Sequence, residues 1–240
     1  MNATPMDPTG HPDPIEKLKS HVAAMSELAV SMVADATRAL LAADLALATS
    51  VTERDESLDK FDVDLEAETI RLIATLQPEG PDLRTLGAVL KIANCVDRIG
   101  RLGYDIARNV STTPAPSDRT PLELLQRMDE RARAMVRESI DAFVQNDANR
   151  AKQVFVMDDE VDATYQEVQG LLVALLSQGG APTKQLAHAL LVARHLERVA
   201  DNACKIAEKA VYAITGERRN EYFPALAHRE AHNRTRGPYA

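Results

Sequence analysis

Carboxylate side chains recur at helical spacing in both halves of this chain of 240 residues. In the second half, Glu197 and Asp201 lie four positions apart, as do Asp158 and Asp162. Residues four apart on an α-helix share one face. Two carboxylates one turn apart can bind a hard cation, and a second pair on a neighbouring helix can complete an oxygen-rich site. The spacing therefore predicts an acidic site built from two helices.

The first half carries a similar but less regular set of acids. Asp55 and Asp59 are one turn apart, and Asp97 and Asp105 lie farther along with Arg101 between them. Acidic lines on helices are also typical of solvated faces, where nearby arginines pair with the acids. The arginines placed to do so are Arg98, Arg101, Arg194 and Arg198. From spacing alone, a solvated face is the simpler interpretation and a metal site the alternative.

Other patterns that carry chemistry are weaker. No Asp or Glu stands three residues before any histidine, so the Glu-x-x-His ligand pattern of di-iron bundles is absent. Cys95 and Cys204 lack a Cys-x-x-Cys partner and are predicted to be small core residues. Neither a glycine-rich phosphate loop nor a Gly-x-Ser-x-Gly elbow occurs. The missing histidine ligands disfavour a carboxylate-bridged metalloenzyme, which stays open as a less favoured alternative.

The composition favours an all-α protein. Aromatic residues make up 4% of the chain and tryptophan is absent, which disfavours a large sheet. The net charge of −8 argues against general nucleic-acid binding. The start of the chain has no basic and apolar signal-peptide pattern, and the longest apolar run, 171–176, is too short to span a membrane. A cytoplasmic location is the default expectation, with membrane contact only through partners.

An internal duplication organises the elements that must position these acids. Residues of the two halves match at a constant offset of 103 positions, as for Met25 and Met128, which changes to 100 after a Gly/Pro break. Each half predicts three helices, at about 15–43, 45–76 and from 81, and at about 121–146, 148–177 and from 182. Asp44 and Asp147 are predicted N-caps. The expected architecture is two tandem antiparallel three-helix bundles, 15–112 and 121–217, with a lead-in at 1–14, a linker at 113–120 and a polar tail at 218–240.

One stretch of the last predicted helix resembles a known family. Residues 193–203 read ARHLERVADNA, and residues 211–217 read VYAITGE. This pattern is similar to the signature of PhoU proteins, which regulate phosphate uptake and phosphate signalling in prokaryotes and are built as two tandem three-helix bundles. The resemblance spans about residues 15–217, and a degraded first-half copy runs from Asp97 to Asn109.

The resemblance implies metal binding at the acidic pairs. The family's Glu/Asp-x-x-x-Asp motifs bind metal clusters, and Glu197 and Asp201 match such a motif in full. The companion pairs are Asp158 with Asp162 and Asp55 with Asp59. Asp97 also matches, but Arg101 replaces the expected acid, so the first site is either lost or rebuilt with Asp105; Lys205 replaces a usual Asn in the second half. Iron, zinc, magnesium and manganese are all compatible with the motif.

The resemblance also implies a regulatory function without catalysis. PhoU-like proteins act as adaptors between a phosphate ABC transporter, especially its ATPase subunit, and a sensor histidine kinase, and they favour the inactive signalling state when phosphate is plentiful. A homodimer is expected. Two alternatives remain open from the residues: an accessory protein of a different phosphate carrier, and a purely structural helical interaction module.

Overall fold

Helices account for almost all of the residues that the structure, a computed structural model, describes: 13–112, 119–178 and 183–218. The segments are α1 (Pro14–Ala42), α2 (Leu45–Thr52), α3 (Asp55–Leu76), α4 (Gly80–Thr112), α5 (Arg119–Val144), α6 (Ala148–Gln178) and α7 (Thr183–Thr215). Within those ranges there is no strand, which confirms the all-α prediction. The predicted lead-in up to residue 12, the predicted linker up to residue 118 and the predicted tail beyond residue 218 lie outside the described residues. The last two residues of the predicted lead-in instead cap and begin α1, and the last two of the predicted linker begin α5.

The second predicted helix, 45–76, is divided into α2 and α3. Glu53 and Arg54 keep right-handed helical dihedrals, but they form a turn that separates the two helices. Arg54 turns towards α1, where its guanidinium donates to Asp35 Oδ2 at 2.7 Å and to Ser31 Oγ at 3.2 Å. The prediction of six long helices is therefore confirmed with one modification, a break in the middle helix of the first bundle that precedes Asp55.

Both predicted N-caps are present. Asp44 Oδ1 accepts a hydrogen bond from Leu47 N at 2.9 Å, and Asp147 Oδ1 accepts one from Arg150 N at 2.9 Å. Each carboxylate satisfies a backbone N–H that the first turn of a helix leaves unpaired. The equivalent caps start α2 and α6, so the local signal that begins the middle helix is the same in both repeats.

The helices form two tandem three-helix bundles that share one core. In the first bundle α1 packs on α3 and α4, and in the second α7 packs on α5 and α6. The bundles meet where α1 contacts α5 and α4 contacts α7. The core-facing residues predicted for α4 and α7 are all buried: Val96, Ile99, Ile106, Val110, Leu196, Val199, Ala203, Ile206 and Ala210. None of the helices in the described ranges has both the length and the apolarity to cross a bilayer.

Gly103 allows α4 to approach α1 closely. A Cβ at this position would lie 2.9 Å from Met32 C and 2.9 Å from Val33 N, both backbone atoms that cannot move aside easily. We expect Gly103→Ala to lower the free energy of unfolding by about 2 kcal/mol, although alanine is the better helix former.

The matched control is Gly87→Ala, also on α4, where an added Cβ meets no atom within 4 Å. This control should raise the free energy of unfolding by about 0.5–1 kcal/mol. Denaturant unfolding of the two variants checks the prediction, and equal effects would show that α1 does not restrict position 103.

Candidate acidic site on helices α6 and α7

The four predicted carboxylates of the second repeat come together across two adjacent helices. Asp158 and Asp162 lie on α6, and Glu197 and Asp201 lie on α7. Their charges are close enough that Asp162 and Asp201 raise the pKa of Asp158, and Asp201, Asp162 and Asp158 raise the pKa of Glu197. Asp162 and Asp201 are exposed, whereas Asp158 and Glu197 are partly buried. The structure therefore assembles one acidic cluster from the residues that the spacing identified.

Glu197 is a strongly perturbed carboxyl of this cluster. Its Oε1 accepts a hydrogen bond from Arg194 at 2.6 Å, as the sequence suggested, but its Oε2 is buried without a hydrogen-bond partner. Burial is the largest cause that raises its pKa to about 7, repulsion from Asp201 adds to it, and Arg194 opposes it. Glu197 thus has one buried carboxylate oxygen that accepts no hydrogen bond from the described residues.

Asp158 has a neighbour that the sequence did not indicate. Burial and then the charge of Asp162 raise the pKa of Asp158 to about 6, and a hydrogen bond from the Cys204 thiol opposes the shift. Cys204 is buried, as predicted for a core residue, but it also faces the acidic cluster. Cys204 is seven residues, or two helical turns, after Glu197 and so lies on the same face of α7. This spacing is the feature of the sequence that could have identified Cys204 as a neighbour of the cluster.

The cluster has the donor types and charge that suit a cation, but it is not a closed site. The charges of the four carboxylates act on one another, and Arg194 is the ion-pair partner of Glu197. Among the described residues, no three His, Cys, Asp or Glu side chains converge closely enough to hold a metal ion as they stand. Oxygen donors, mutual repulsion and the unsatisfied Glu197 Oε2 fit a hard cation.

Arg101 lies at the centre of the equivalent cluster in the first repeat. Its guanidinium is 3.1 Å from Asp97 Oδ2, 2.6 Å from Asp59 Oδ1 and 3.7 Å from Asp55 Oδ2. In the repeat alignment Arg101 corresponds to Asp201, so the second cluster has a fourth carboxylate where the first has a cation. The side chain that departs from the motif therefore places a positive charge among three acids.

Two acids of the first cluster keep unsatisfied oxygens despite the arginine. Oδ1 of Asp55 and Oδ1 of Asp97 are buried without hydrogen-bond partners. Burial raises the pKa of Asp55, and Arg101 opposes this shift. Among the charges that affect the pKa of Asp55, that of Asp105, the predicted substitute ligand, has the smallest effect. Asp105 also interacts with His195 on α7, where burial lowers the pKa of the imidazole and the charge of Asp105 opposes this shift. The contacts thus place Arg101, rather than Asp105, at the centre of this cluster.

The raised pKa of Glu197 predicts a pH-dependent effect on stability. Because this pKa lies above that of an unfolded glutamate, the folded protein loses stability as pH rises through about 7. We expect Glu197→Gln, which carries no charge, to be more stable than the wild-type chain by about 2 kcal/mol at pH 8, and the difference to shrink towards pH 4. Denaturant unfolding in the presence of a chelator measures this difference.

The control for this prediction is Glu56→Gln, which removes an exposed glutamate from α3. Its effect should stay within about 0.5 kcal/mol at every pH. A Glu197→Gln difference that does not change with pH would contradict the prediction.

Comparison with known families identifies the two halves as copies of one domain. The family model "PhoU domain" matches residues 22–110 and again 125–210. An Aquifex aeolicus protein described as a phosphate-specific transport system accessory protein PhoU homolog is 34% identical over 203 residues, covering 85% of this chain and 92% of that protein. A Clostridium acetobutylicum protein with the same description is 28% identical and covers 85% of this chain and 93% of its own length.

Solved structures show the same architecture. The crystal structure of PhoU from Pseudomonas aeruginosa superimposes with a TM-score of 0.80 at 28% identity, covering 85% of this chain and 98% of that chain. The phosphate transport system regulatory protein PhoU from Streptococcus pneumoniae shares the fold with a TM-score of 0.78, covering 85% of this chain and 96% of that chain. The chain therefore belongs to the PhoU domain family, with two PhoU domains in tandem.

Proposed function

We propose that this protein is a regulatory accessory subunit of a phosphate-specific transport system and acts as an adaptor without catalysing a reaction. The observation that carries the proposal is the match of both halves to the PhoU domain, together with curated relatives described as phosphate-specific transport accessory proteins. Its partners are the ATPase subunit of a phosphate ABC transporter and a sensor histidine kinase, reached from a cytoplasmic location.

Regulation by such an adaptor requires a preference for one state of its partner. A protein that bound active and inactive kinase equally would shift neither population. The adaptor must therefore bind the phosphate-replete state of the transporter or kinase more tightly than the starved state. A tenfold shift in the kinase population needs a difference of about 1.4 kcal/mol in binding free energy.

Apolar side chains on the outer faces of the middle helices support protein binding. Val63 and Ile70 on α3 are 64% and 54% exposed, and Val156 and Val173 on α6 are 60% and 56% exposed. Large apolar side chains that remain in water supply binding energy when a partner covers them. Val63 and Ile70 are two helical turns apart, so both side chains lie on one face of α3. A partner or the second copy of a homodimer would cover this face.

The adaptor proposal is tested by a pull-down with the tagged full chain from phosphate-replete and phosphate-starved cells. We expect the transporter ATPase and the kinase to be recovered more strongly from replete cells. Val63→Ser combined with Ile70→Ser should reduce recovery, whereas Leu191→Ser, which removes an apolar side chain 50% exposed on α7, should not. Recovery of a phosphate symporter instead, or of no transport component, would contradict the adaptor proposal.

We also propose that the second-repeat cluster binds a hard cation as a structural element. Asp158, Asp162, Glu197 and Asp201 would hold it, and the charge of the ion would offset the burial and the mutual repulsion that raise the pKa values of Asp158 and Glu197. A cation bound between α6 and α7 would fix the relative position of these helices. Because ligating carboxylates must be deprotonated, affinity should rise with pH up to about 7.

A further inference from the structure

A pocket of about 590 Å³ lies between the first turns of α4 and the last turns of α7. It is separate from the acidic clusters: along α7, Glu208 at its edge is seven residues from Asp201, which corresponds to about 10 Å of helix. The volume falls within the range of about 300–1,000 Å³ that is usual for small-molecule sites. The pocket therefore has room for one organic ligand.

The lining of this pocket is strongly positive in a protein of net charge −8. It includes four cationic side chains, Arg84, Lys91, Lys209 and Arg218, and one acid, Glu208. Glu208 Oε1 pairs with Lys209 Nζ at 3.0 Å, and Arg84 Nε donates to the backbone oxygen of Ala213 at 3.4 Å. With Lys209 paired to the one lining carboxylate, Arg84 and Lys91 still leave an excess of positive charge, so the pocket would attract an anion.

The remaining lining is apolar and aromatic. Leu83 is 45% exposed, and the ring of Tyr212 has the Arg218 guanidinium carbon 6.0 Å from its centroid. Gly87 contributes no side chain, and a Cβ built there would meet no atom within 4 Å. An apolar surface beside a group of cations fits a ligand with a planar organic part and an anionic part.

We propose that this pocket binds an organic phosphate of nucleotide size. The phosphate groups would lie against Arg84, Lys91 and Lys209, since arginine and lysine are the usual partners of phosphate oxygens. The planar ring would pack on Tyr212 and Leu83 over the open surface at Gly87. The ligand would contact both α4 and α7, and so both repeats.

Isothermal titration of the full-length protein with ATP, in chelator and at low ionic strength, tests this proposal. Gly87→Leu would fill the pocket and should weaken ATP binding at least about tenfold, while Lys91→Gln should weaken it about fivefold. The matched control is Gly170→Leu on α6, which is also an exposed helical glycine with open space around it, and it should bind as the wild-type chain does. Both glycine variants should unfold at or above the wild-type temperature.

Further probes separate the parts of the ligand. Adenosine and inorganic phosphate should each bind much more weakly than ATP. Absence of ATP binding, equal loss in Gly87→Leu and Gly170→Leu, equal affinity for inorganic phosphate and ATP, or tighter binding of an aspartate-rich peptide than of ATP would each overturn the proposal. These measurements use purified protein and do not depend on the transporter or kinase.

Discussion

On the proposal that the second-repeat cluster binds a cation, the variant Glu197→Ala combined with Asp201→Ala should load no metal there. These substitutions remove both α7 carboxylates, including the buried Oε2 of Glu197, and leave Asp158 and Asp162 on a single helix. Two carboxylates from one helix fill only part of the coordination shell of a hard cation, so the remaining binding should be too weak to survive gel filtration. Elemental analysis after metal loading and gel filtration measures the metal-to-protein ratio.

The same variant should keep a cooperative unfolding transition. Removing two of four repelling charges relieves the electrostatic cost of the cluster, so the metal-free variant should be at least as stable as the metal-free wild-type chain. The wild-type chain should gain about 2.7 kcal/mol in metal at a hundredfold excess over its dissociation constant, and the variant should gain none. Differential scanning calorimetry with and without metal checks both expectations.

A charge-matched control is available on α3. Glu56→Ala combined with Asp64→Ala removes two exposed carboxylates away from the second-repeat cluster and should load metal as the wild-type chain does. An unchanged metal content in the Glu197 and Asp201 double variant would refute the site. Loss of metal in the Glu56 and Asp64 variant as well would indicate nonspecific binding to acidic surfaces.

Arg101→Asp should convert the first cluster into a second cation site. The guanidinium now lies among Asp55, Asp59 and Asp97, where its positive charge offsets their repulsion. Aspartate at this position reproduces the arrangement of Asp201 in the second repeat and gives four carboxylates on α3 and α4. We expect about one additional metal equivalent per chain by elemental analysis.

Without metal, Arg101→Asp should be destabilised. It loses three ion-pair contacts and adds a negative charge beside two carboxylates whose Oδ1 atoms are already unsatisfied. Because Arg101 and Asp59 are about half exposed, solvent screening limits the cost to about 2 kcal/mol in chelator. Added metal should recover this loss, as measured by denaturant unfolding with and without the cation.

Arg98→Asp provides the control for charge. It makes the same charge change at an exposed position three residues earlier on α4, and it should neither gain a metal equivalent nor show metal-dependent stability. If Arg101→Asp binds no more metal than the wild-type chain, then the arginine does not stand in the place of a cation and the first cluster is only a surface ion-pair network.

The local parts of the fold could be predicted because they depend on neighbours in the chain. Helical periodicity placed the buried faces of α4 and α7, and the side chains of Asp44 and Asp147 cap the helices that follow them. Capping and amphipathic spacing involve residues within about four positions of each other. The repeat offset then implied two similar bundles, because each three-helix unit buries its apolar faces in the same way.

The break between α2 and α3 was not predictable from that spacing. It coincides with ion pairing between Arg54 and Asp35 on another helix, a contact nineteen positions apart in the chain. Similarly, Gly103 is required by the backbone of α1 at Met32 and Val33 rather than by its own helix. Contacts between helices decide such positions, and intrinsic helical preference does not report them.

The sequence by itself determined the all-helical duplicated fold and which carboxylates share a helical face. Only the tertiary structure decided which charges neutralise them: it placed Arg101 among three acids, left Glu197 Oε2 buried without a partner, and brought the Cys204 thiol to Asp158. It also gathered the cations of α4 and α7 around one pocket. The physical reason is that helical periodicity fixes only the direction in which each side chain leaves the axis of its own helix. Burial and charge pairing depend on how far apart the axes of neighbouring helices lie.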